Sequence, residues 1–139
     1  MNRKDQHLRV NGKRVFLRYV TLDDFEEMME MFRQSRRLYR GLYNPPSDRQ
    51  IFESYVGNNE LETNECFVIC RREDGRIVGT ITLSQIFRRA FQNAYLGYAL
   101  GEPYTGQGYM TEAINLVLRY AFKTLKLHRL EANIQPHNT

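Results

Sequence analysis

A pair of glycines between an apolar strand and an amphipathic helix constrains this chain more than any other feature. The strand-like run ends at Leu100, where Gly101 and Pro103 interrupt the pattern. Gly106 and Gly108 follow, and a helical repeat of apolar residues begins directly after them. This order predicts that a strand delivers the chain into a tight loop, from which a long helix departs.

The helix predicted after the glycines is amphipathic and runs through Leu125. Its apolar face consists of residues at helical spacing: Met110, Ile114, Val117, Ala121 and Leu125. Its polar face consists of Glu112, Asn115, Arg119, Lys123 and Lys126. An acidic residue in the first turn and basic residues in the last turn complement the helix dipole, which supports the predicted direction.

The junction between loop and helix has the properties of an anion site built from main chain. The first turn of a helix leaves N–H groups without intrahelical acceptors, and the macrodipole adds partial positive charge there. Glycines allow positive φ and the close approach of a ligand, so the junction suits a phosphate or pyrophosphate. A tight turn with no ligand is the alternative, because neither a P-loop lysine nor the third glycine of a dinucleotide fingerprint is present.

Residues 97–113 resemble the acetyl-CoA loop of the GNAT N-acetyltransferase superfamily, in particular its ribosomal-protein-alanine N-acetyltransferase branch. That branch carries an aromatic-x-Gly-x-Gly-aromatic loop leading into Thr-Glu-Ala, then a helix, a strand beginning His-Arg and an Asn-rich strand end. The matching residues here are 104–109, then Thr111, Glu112, Ala113, His128, Arg129 and Asn133. In one departure, Pro103 stands where the superfamily often has Gln or Arg three residues before the first glycine.

The resemblance implies an α+β fold of the acyl-CoA N-acyltransferase (GNAT) type, with a mixed central sheet flanked by helices. The residues predict strands at 14–20, 65–71, 76–85, 93–101 and 127–135, with a hairpin turn at Asp74-Gly75. The last strand follows its predecessor through a helix and is therefore expected to be parallel to it.

Two helices are predicted between the first and second strands. Thr21 and Asp24 form a capping box for the first, and Ser47 with Gln50 is expected to cap the second. The first helix is predicted to bury Leu22, Phe25, Met28, Met29 and Phe32. The apolar stripe of the second is Ile51, Phe52, Tyr55 and Val56.

The chain is predicted to form a single N-acetyltransferase domain, residues 1–139. In the resembled family the chain continues after the position of Asn138 with a short segment, a helix and a hairpin. These parts are absent from this sequence, so we expect the domain to be C-terminally incomplete. The alternative is that a second chain completes the sheet, as in a homodimer.

Charge and hydropathy exclude several classes of protein. The net charge is +4 and the pI about 9.2, a mild excess that favours an anionic ligand and is too small to indicate direct nucleic-acid binding. Nucleic acid is therefore expected only indirectly, through an RNA-bearing partner. No apolar run of roughly 18 residues is present, so we expect no membrane span.

The two cysteines, Cys66 and Cys70, lie in one apolar run. On a single strand they share a face but lie about 13 Å apart at ~3.3 Å per residue, too far for a disulfide. We expect them to be reduced, core-facing residues of a cytoplasmic protein. With no further ligand nearby, they predict no metal site.

The resemblance implies acetyl-CoA as cosubstrate and assigns residues to it. The amides that would hold the pyrophosphate are those of Gly106, Gln107, Gly108, Tyr109, Met110 and Thr111. Backbone groups of Tyr98, Ala99 and Leu100 would flank the pantetheine and thioester, because the family's fourth strand splays from the fifth there. Asn138 would hydrogen-bond the pantetheine arm.

Transfer of an acetyl group to an amine requires positioned reactants and a group that takes a proton from the amine. Glu102 at the strand end and His137 beside Asn138 are the candidates for that base. A solvated surface role is the alternative for Glu102. His128 opens the fifth strand and is expected to serve structure.

The loop after the first helix is expected to border the acceptor groove, by resemblance. The residues that would meet a peptide or an RNA-bearing partner are Arg36, Arg37, Tyr39, Arg40 and Tyr43. A solvated loop with its tyrosines packed on the domain is the alternative.

The sequence therefore predicts an acetyl-CoA-dependent N-acetyltransferase that acts on a protein N-terminus of the ribosomal-protein type or on a small-molecule amine. The alternative is a non-catalytic CoA-binding module or a ribosome- or RNA-associated interaction module.

Overall fold

Six strands form one sheet in chain order in the computed structural model, which describes residues 7–36, 45–46, 48–87, 93–127 and 129–133. The strands are β1 (Arg9–Asn11), β2 (Val15–Tyr19), β3 (Glu65–Arg71), β4 (Ile77–Phe87), β5 (Asn93–Leu100) and β6 (Arg129–Asn133). Neighbours are antiparallel from β1 through β5. The β5–β6 pair is parallel, as predicted, with Asn93 opposite Arg129 and Gly97 opposite Asn133.

Within the described ranges, three α-helices flank the sheet: α1 (Phe25–Gln34), α2 (Arg49–Gly57) and α3 (Tyr109–Arg119). Short 3-10 turns lie at Leu22–Asp24, Asn58–Glu60 and Glu102–Tyr104. None of the helices in the described ranges is long and apolar enough to cross a membrane.

The two faces of the sheet carry separate cores because side chains alternate along each strand. Against α3 lie Val15, Leu17, Phe67, Ile69, Ile81, Leu83 and Leu96, with Ala113, Leu116 and Val117 of the helix. Against α1 and α2 lie Phe16, Val68, Cys70, Ile77 and Ala99, with Met28, Met31, Phe32 and Phe52 of the helices. The predicted mixed sheet flanked by helices is therefore confirmed.

The helix after the glycine loop differs from the prediction at its end. The α-helix stops at Arg119, and a π-helical turn follows at Tyr120–Thr124, in which the Leu125 N–H donates to the Tyr120 carbonyl (3.0 Å). Ile114 and Leu125 are only half-buried. Ala113, Leu116 and Tyr120 lie in the core instead, because the buried stripe is rotated towards them.

The predicted start of α1 is confirmed, but one residue of its buried face is wrong. The Thr21 N–H donates to the Asp24 carboxylate (2.8 Å), which completes the capping box. This box opens a 3-10 turn that directs Leu22 outwards, so its side chain is 45% exposed. Met31 is buried where the prediction placed Leu22.

The predicted cap of α2 was one residue too early. Asp48 is the N-cap, and its carboxylate accepts from the Ile51 N–H (2.9 Å). Ser47 lies outside the described residues. Phe52 is fully buried, whereas Ile51 is exposed, so the apolar stripe is narrower than predicted.

Both cysteines are free and buried in the core against α1 and α2, as predicted. Burial raises the pKa of the Cys70 thiol to about 11. The Cys70 side chain is therefore a neutral thiol at physiological pH, and it packs as a small apolar group.

Candidate functional site

The glycine loop joins β5 to α3 with the backbone geometry that the sequence predicted. After β5, the 3-10 turn at Glu102–Tyr104 carries Pro103, and the loop then reaches α3 through Gly106 and Gly108. Both glycines have a left-handed φ, +76° and +82°, which favours glycine over other residues. Gly108 is the N-cap of α3.

The first turn of α3 presents main-chain donors. The Glu112 N–H makes the first helical bond, to the Gly108 carbonyl (3.2 Å). Within the described ranges, the N–H groups of Tyr109, Met110 and Thr111 have no acceptor. A side chain at Gly106 would meet no described atom within 4 Å. The loop is therefore open on one side, with donors and the positive end of a helix dipole beside it.

Side chains within the loop brace its backbone. The Thr105 hydroxyl donates to the Glu102 carbonyl (3.0 Å), and the Gln107 side-chain amide donates to the Pro103 carbonyl (3.2 Å). Pro103 therefore takes part through its backbone oxygen, although its side chain has no donor. These bonds fix the loop without using the amides of the first helical turn.

Arg14, just ahead of β2, contacts the loop that follows β5, although β3 and β4 lie between these two strands in the sheet. Its guanidinium donates to the Gln107 carbonyl (2.6 Å) and lies 4.4 Å from the centre of the Tyr109 ring. Sequence reasoning missed this residue, which is 93 positions away from Gln107. No local sequence pattern predicts such a contact. The one signal in the sequence is that Arg14 is the first residue of a predicted strand.

Arg71, at the end of β3, lies on the neighbouring side of the loop. Its guanidinium is 5.4 Å from the centre of the Tyr104 ring and 2.6 Å from the Asp74 carboxylate. The hydrogen bonds to Asp74 raise the pKa of Arg71 above its usual value, and they lower the pKa of the Asp74 carboxyl to about 2. Two arginines thus flank residues 104–109.

Glu112 has a structural role that the sequence did not reveal. Its carboxylate accepts from the backbone N–H groups of Arg14 (2.8 Å) and Val15 (3.0 Å). A side chain at Gly12 would collide with the same carboxylate. The first turn of α3 and the start of β2 are therefore joined closely.

The end of α1 is bonded to the segment after β5. The Ser35 hydroxyl, fully buried, donates to the Met31 carbonyl (2.7 Å) and accepts from the Glu102 N–H (2.8 Å). Glu102 is half-buried, and Arg36 directly after Ser35 is exposed. One predicted base candidate and the start of the predicted acceptor loop are thus brought together.

Several predicted site residues lie outside the described residues: Arg37, Tyr39, Arg40, Tyr43, His128, His137 and Asn138. Among the cofactor residues on β5, Ala99 and Leu100 are buried and Tyr98 is half-buried. Pairing with β6 runs from Asn93 to Gly97 within the described ranges. The strand splay expected beside Tyr98, Ala99 and Leu100 therefore stays a prediction.

A buried polar cluster lies apart from the glycine loop. The hydroxyls of Tyr19 (2.5 Å) and Tyr120 (2.7 Å) donate to the Glu65 carboxylate. Burial and the bond to Glu65 raise the pKa of Tyr19.

The described part of the chain has no group of three or more His, Cys, Asp or Glu that could hold a metal ion.

Comparison with known sequences identifies relatives of this chain. The profile of the acetyltransferase (GNAT) domain matches residues 14–139. "Probable N-acetyltransferase YjcK" of Bacillus subtilis (strain 168) is 34% identical over 137 residues, 93% of this chain and 76% of that protein. The ribosomal protein uS5-alanine N-acetyltransferase of Escherichia coli (strain K12) is 38% identical over 66 residues, which span 48% of this chain and 34% of that enzyme.

Solved structures share the fold. A Vibrio cholerae protein, provisionally named a ribosomal-protein-serine acetyltransferase, has a TM-score of 0.82 and 27% identity over 97% of this chain and 78% of its own. Mycobacterium smegmatis RimJ, in complex with CoA-disulfide, has a TM-score of 0.76 and 26% identity. That match covers 90% of this chain and 64% of RimJ.

Proposed function

The chain belongs to the GNAT acetyltransferase family, and on that premise we propose that it transfers an acetyl group from acetyl-CoA to a primary amine. The observation that carries the proposal is the first turn of α3. Three consecutive N–H groups there have no acceptor within the described ranges, and the loop before them turns through two left-handed glycines.

The residues present fit the phosphates of acetyl-CoA. The open side of Gly106 leaves room for an anion beside the backbone, and the amides of Tyr109, Met110 and Thr111 supply donors. We assign the pyrophosphate to the amides of residues 106–111. Tyr98, Ala99 and Leu100 are assigned to the pantetheine and thioester, and Asn138 to the pantetheine arm. A complex of RimJ with a CoA derivative supports a CoA ligand for this fold.

Acetyl-CoA supplies the acetyl group as a thioester, and the new amide bond to nitrogen forms as the carbon–sulfur bond breaks. The chain's contribution is to hold the reactants together and to accept the proton that the amine loses. Glu102 is the first candidate for the base and lies within the described residues. The Ser35 hydroxyl fixes the backbone of Glu102 directly after the end of β5. His137 is the second candidate.

The proposed acceptor is a protein N-terminus or a small-molecule amine. An N-terminus is supported by the relatives, among which the E. coli enzyme is named for alanine of ribosomal protein uS5. The acceptor is proposed to enter beside the end of α1. Arg36 begins that border, with Arg37, Tyr39, Arg40 and Tyr43 following in the chain.

An acetyl-transfer assay tests the proposal. The chain is incubated with acetyl-CoA and either peptides with free N-terminal amines or polyamines, while thiol release and the mass of the acceptor are followed. The proposal predicts thiol release that depends on the amine and an acceptor that gains one acetyl group. Tight binding of acetyl-CoA with no transfer to any amine would instead identify a CoA-binding module.

A further inference from the structure

We propose that Arg14 binds the phosphates of the cosubstrate, supplying from the start of β2 the positive charge that position 103 lacks. The inference rests on the proposed function, because it concerns the site assigned there to acetyl-CoA. Pro103 contributes only a carbonyl to the loop, so no side-chain donor comes from that position. The Arg14 guanidinium contacts Gln107 and Tyr109, which flank the N-cap of this helix.

Three distances place the Arg14 guanidinium at the entrance to α3. Its Nη1 atom is 2.6 Å from the Gln107 carbonyl oxygen and 3.5 Å from the point that a Cβ at Gly108 would occupy. Its Cζ atom is 4.4 Å from the centre of the Tyr109 ring. The guanidinium therefore lies beside the loop residues whose amides are assigned to the pyrophosphate.

The position of Arg14 is fixed before any ligand binds. Its backbone N–H donates to the Glu112 carboxylate (2.8 Å), and the Gly12 N–H donates to the Val15 carbonyl (2.8 Å) across the turn. The ring of Tyr109 supports the guanidinium from one side. A side chain held in this way loses little further freedom on binding an anion, which favours affinity.

The charge of Arg14 is available to a ligand. The Glu112 carboxylate is bonded to backbone amides, and no carboxylate forms an ion pair with the Arg14 guanidinium in the described ranges. Arg71, on the neighbouring side, is by contrast paired with Asp74. A guanidinium carries five N–H donors, and the bond to Gln107 leaves others for phosphate oxygens, which arginine binds in a bidentate manner.

The test compares acetyl-CoA with S-acetyl-pantetheine, which carries the same thioester and no pyrophosphate. Dissociation constants and KM values are measured for the wild type, Arg14→Met and Arg14→Lys at two salt concentrations. Arg119→Met is the control, because Arg119 is exposed in the last turn of the same helix. Arg14→Gln is the second variant; it keeps a donor for the Gln107 carbonyl without the charge and serves if Arg14→Met does not fold.

Arg14→Met is expected to weaken acetyl-CoA binding roughly tenfold to a hundredfold, the usual effect of losing a hydrogen bond to a charged group. The KM for S-acetyl-pantetheine should stay unchanged, and Arg14→Lys should recover much of the loss. The salt dependence of binding should fall in Arg14→Met and Arg14→Gln, because one exposed charge is removed.

Two results would overturn the inference while leaving the proposed function intact: wild-type affinity for acetyl-CoA in Arg14→Met, or an equal loss for both thioesters. The second result would show that Arg14 only braces the loop. A wild-type chain that binds neither thioester would overturn the proposed function and this inference together.

Discussion

The backbone N–H of Glu102 donates to the hydroxyl of Ser35, which joins the segment after β5 to the end of α1. Through this bond the strand end assigned to the thioester and the helix that leads into the proposed acceptor loop form one unit. The hydroxyl is fully buried, so both of its hydrogen bonds are shielded from water.

Ser35→Ala should separate the effects on the two substrates. Loss of the hydroxyl leaves the Glu102 N–H without this acceptor and should lower the free energy of unfolding by about 1–3 kcal/mol. Because the bond lies at the end of α1, beside the proposed acceptor entrance, KM for the amine should rise more than KM for acetyl-CoA. Ser54→Ala on the exposed side of α2 is the control. Equal changes in both KM values would argue against this placement of the acceptor.

Glu112→Ala should destabilise the fold through lost backbone contacts. The change removes the acceptor of the Arg14 and Val15 N–H groups and should lower the free energy of unfolding in urea by about 1–3 kcal/mol. Glu112→Gln keeps an acceptor oxygen and should restore most of the loss. Glu26→Ala, an exposed acidic residue in the first turn of α1, should change little. If the two alanine variants are equally stable, the hydrogen bonds that the Glu112 carboxylate accepts from Arg14 and Val15 contribute nothing to the free energy of unfolding.

The Tyr120 hydroxyl should contribute measurably to stability. It donates to the buried Glu65 carboxylate at 2.7 Å, and hydrogen bonds to charged groups contribute about 1.5–3 kcal/mol. Tyr120→Phe should therefore lower the free energy of unfolding by about that amount in urea. Tyr95→Phe, at a side chain that is 41% exposed, provides the matched control. A Tyr120→Phe variant as stable as the control would contradict the role given to this cluster.

The buried Cys70 thiol predicts a loss of stability at high pH. Its pKa is about 11 in the folded chain and 9.0 for an ordinary thiol, so the unfolded chain loses this proton first as the pH rises. The free energy of unfolding should fall between pH 9 and pH 11, by up to about 1.4 kcal/mol per pH unit from this group. Below pH 9 the contribution is fully present.

Cys70→Val removes the titrating group and keeps an apolar side chain of similar size. The free energy of unfolding in urea of the wild type, relative to that of Cys70→Val, should therefore fall as the pH rises from 9 to 11. A difference that stays constant over this range would show that the Cys70 thiol does not titrate as described.

The fold could be predicted from the sequence where local pattern decides it. The apolar run at 65–71 matches β3, the Asp74-Gly75 turn closes the hairpin, and Gly106 and Gly108 have the positive φ that the loop requires. The errors were local ambiguities. Ser47 and Asp48 are adjacent residues that both make good caps, and only the bond to the Ile51 N–H decides between them.

The contacts that shape the candidate site could not be predicted, because they join distant parts of the chain. Arg14 and Glu112 are 98 residues apart, and Ser35 and Glu102 are 67 apart. The π turn at the end of α3 likewise begins at a tyrosine whose hydroxyl partner is 55 residues away. A single sequence specifies such pairs only through the finished packing of sheet and helices.

Titration of acetyl-CoA into the wild type, Gly106→Ala and Gly75→Ala measures whether the glycine loop ahead of α3 binds the pyrophosphate. The two glycines have nearly the same φ, +76° and +75°, and a Cβ at either would meet no atom of the described residues within 4 Å. Both substitutions therefore introduce similar strain, about 1–2 kcal/mol. Only Gly106 lies in the proposed pyrophosphate loop. The wild type and Gly75→Ala should bind acetyl-CoA with similar dissociation constants, and Gly106→Ala should bind it at least roughly tenfold more weakly. Equal binding by the two variants, or no binding by the wild type, would contradict the assignment of the pyrophosphate to this loop.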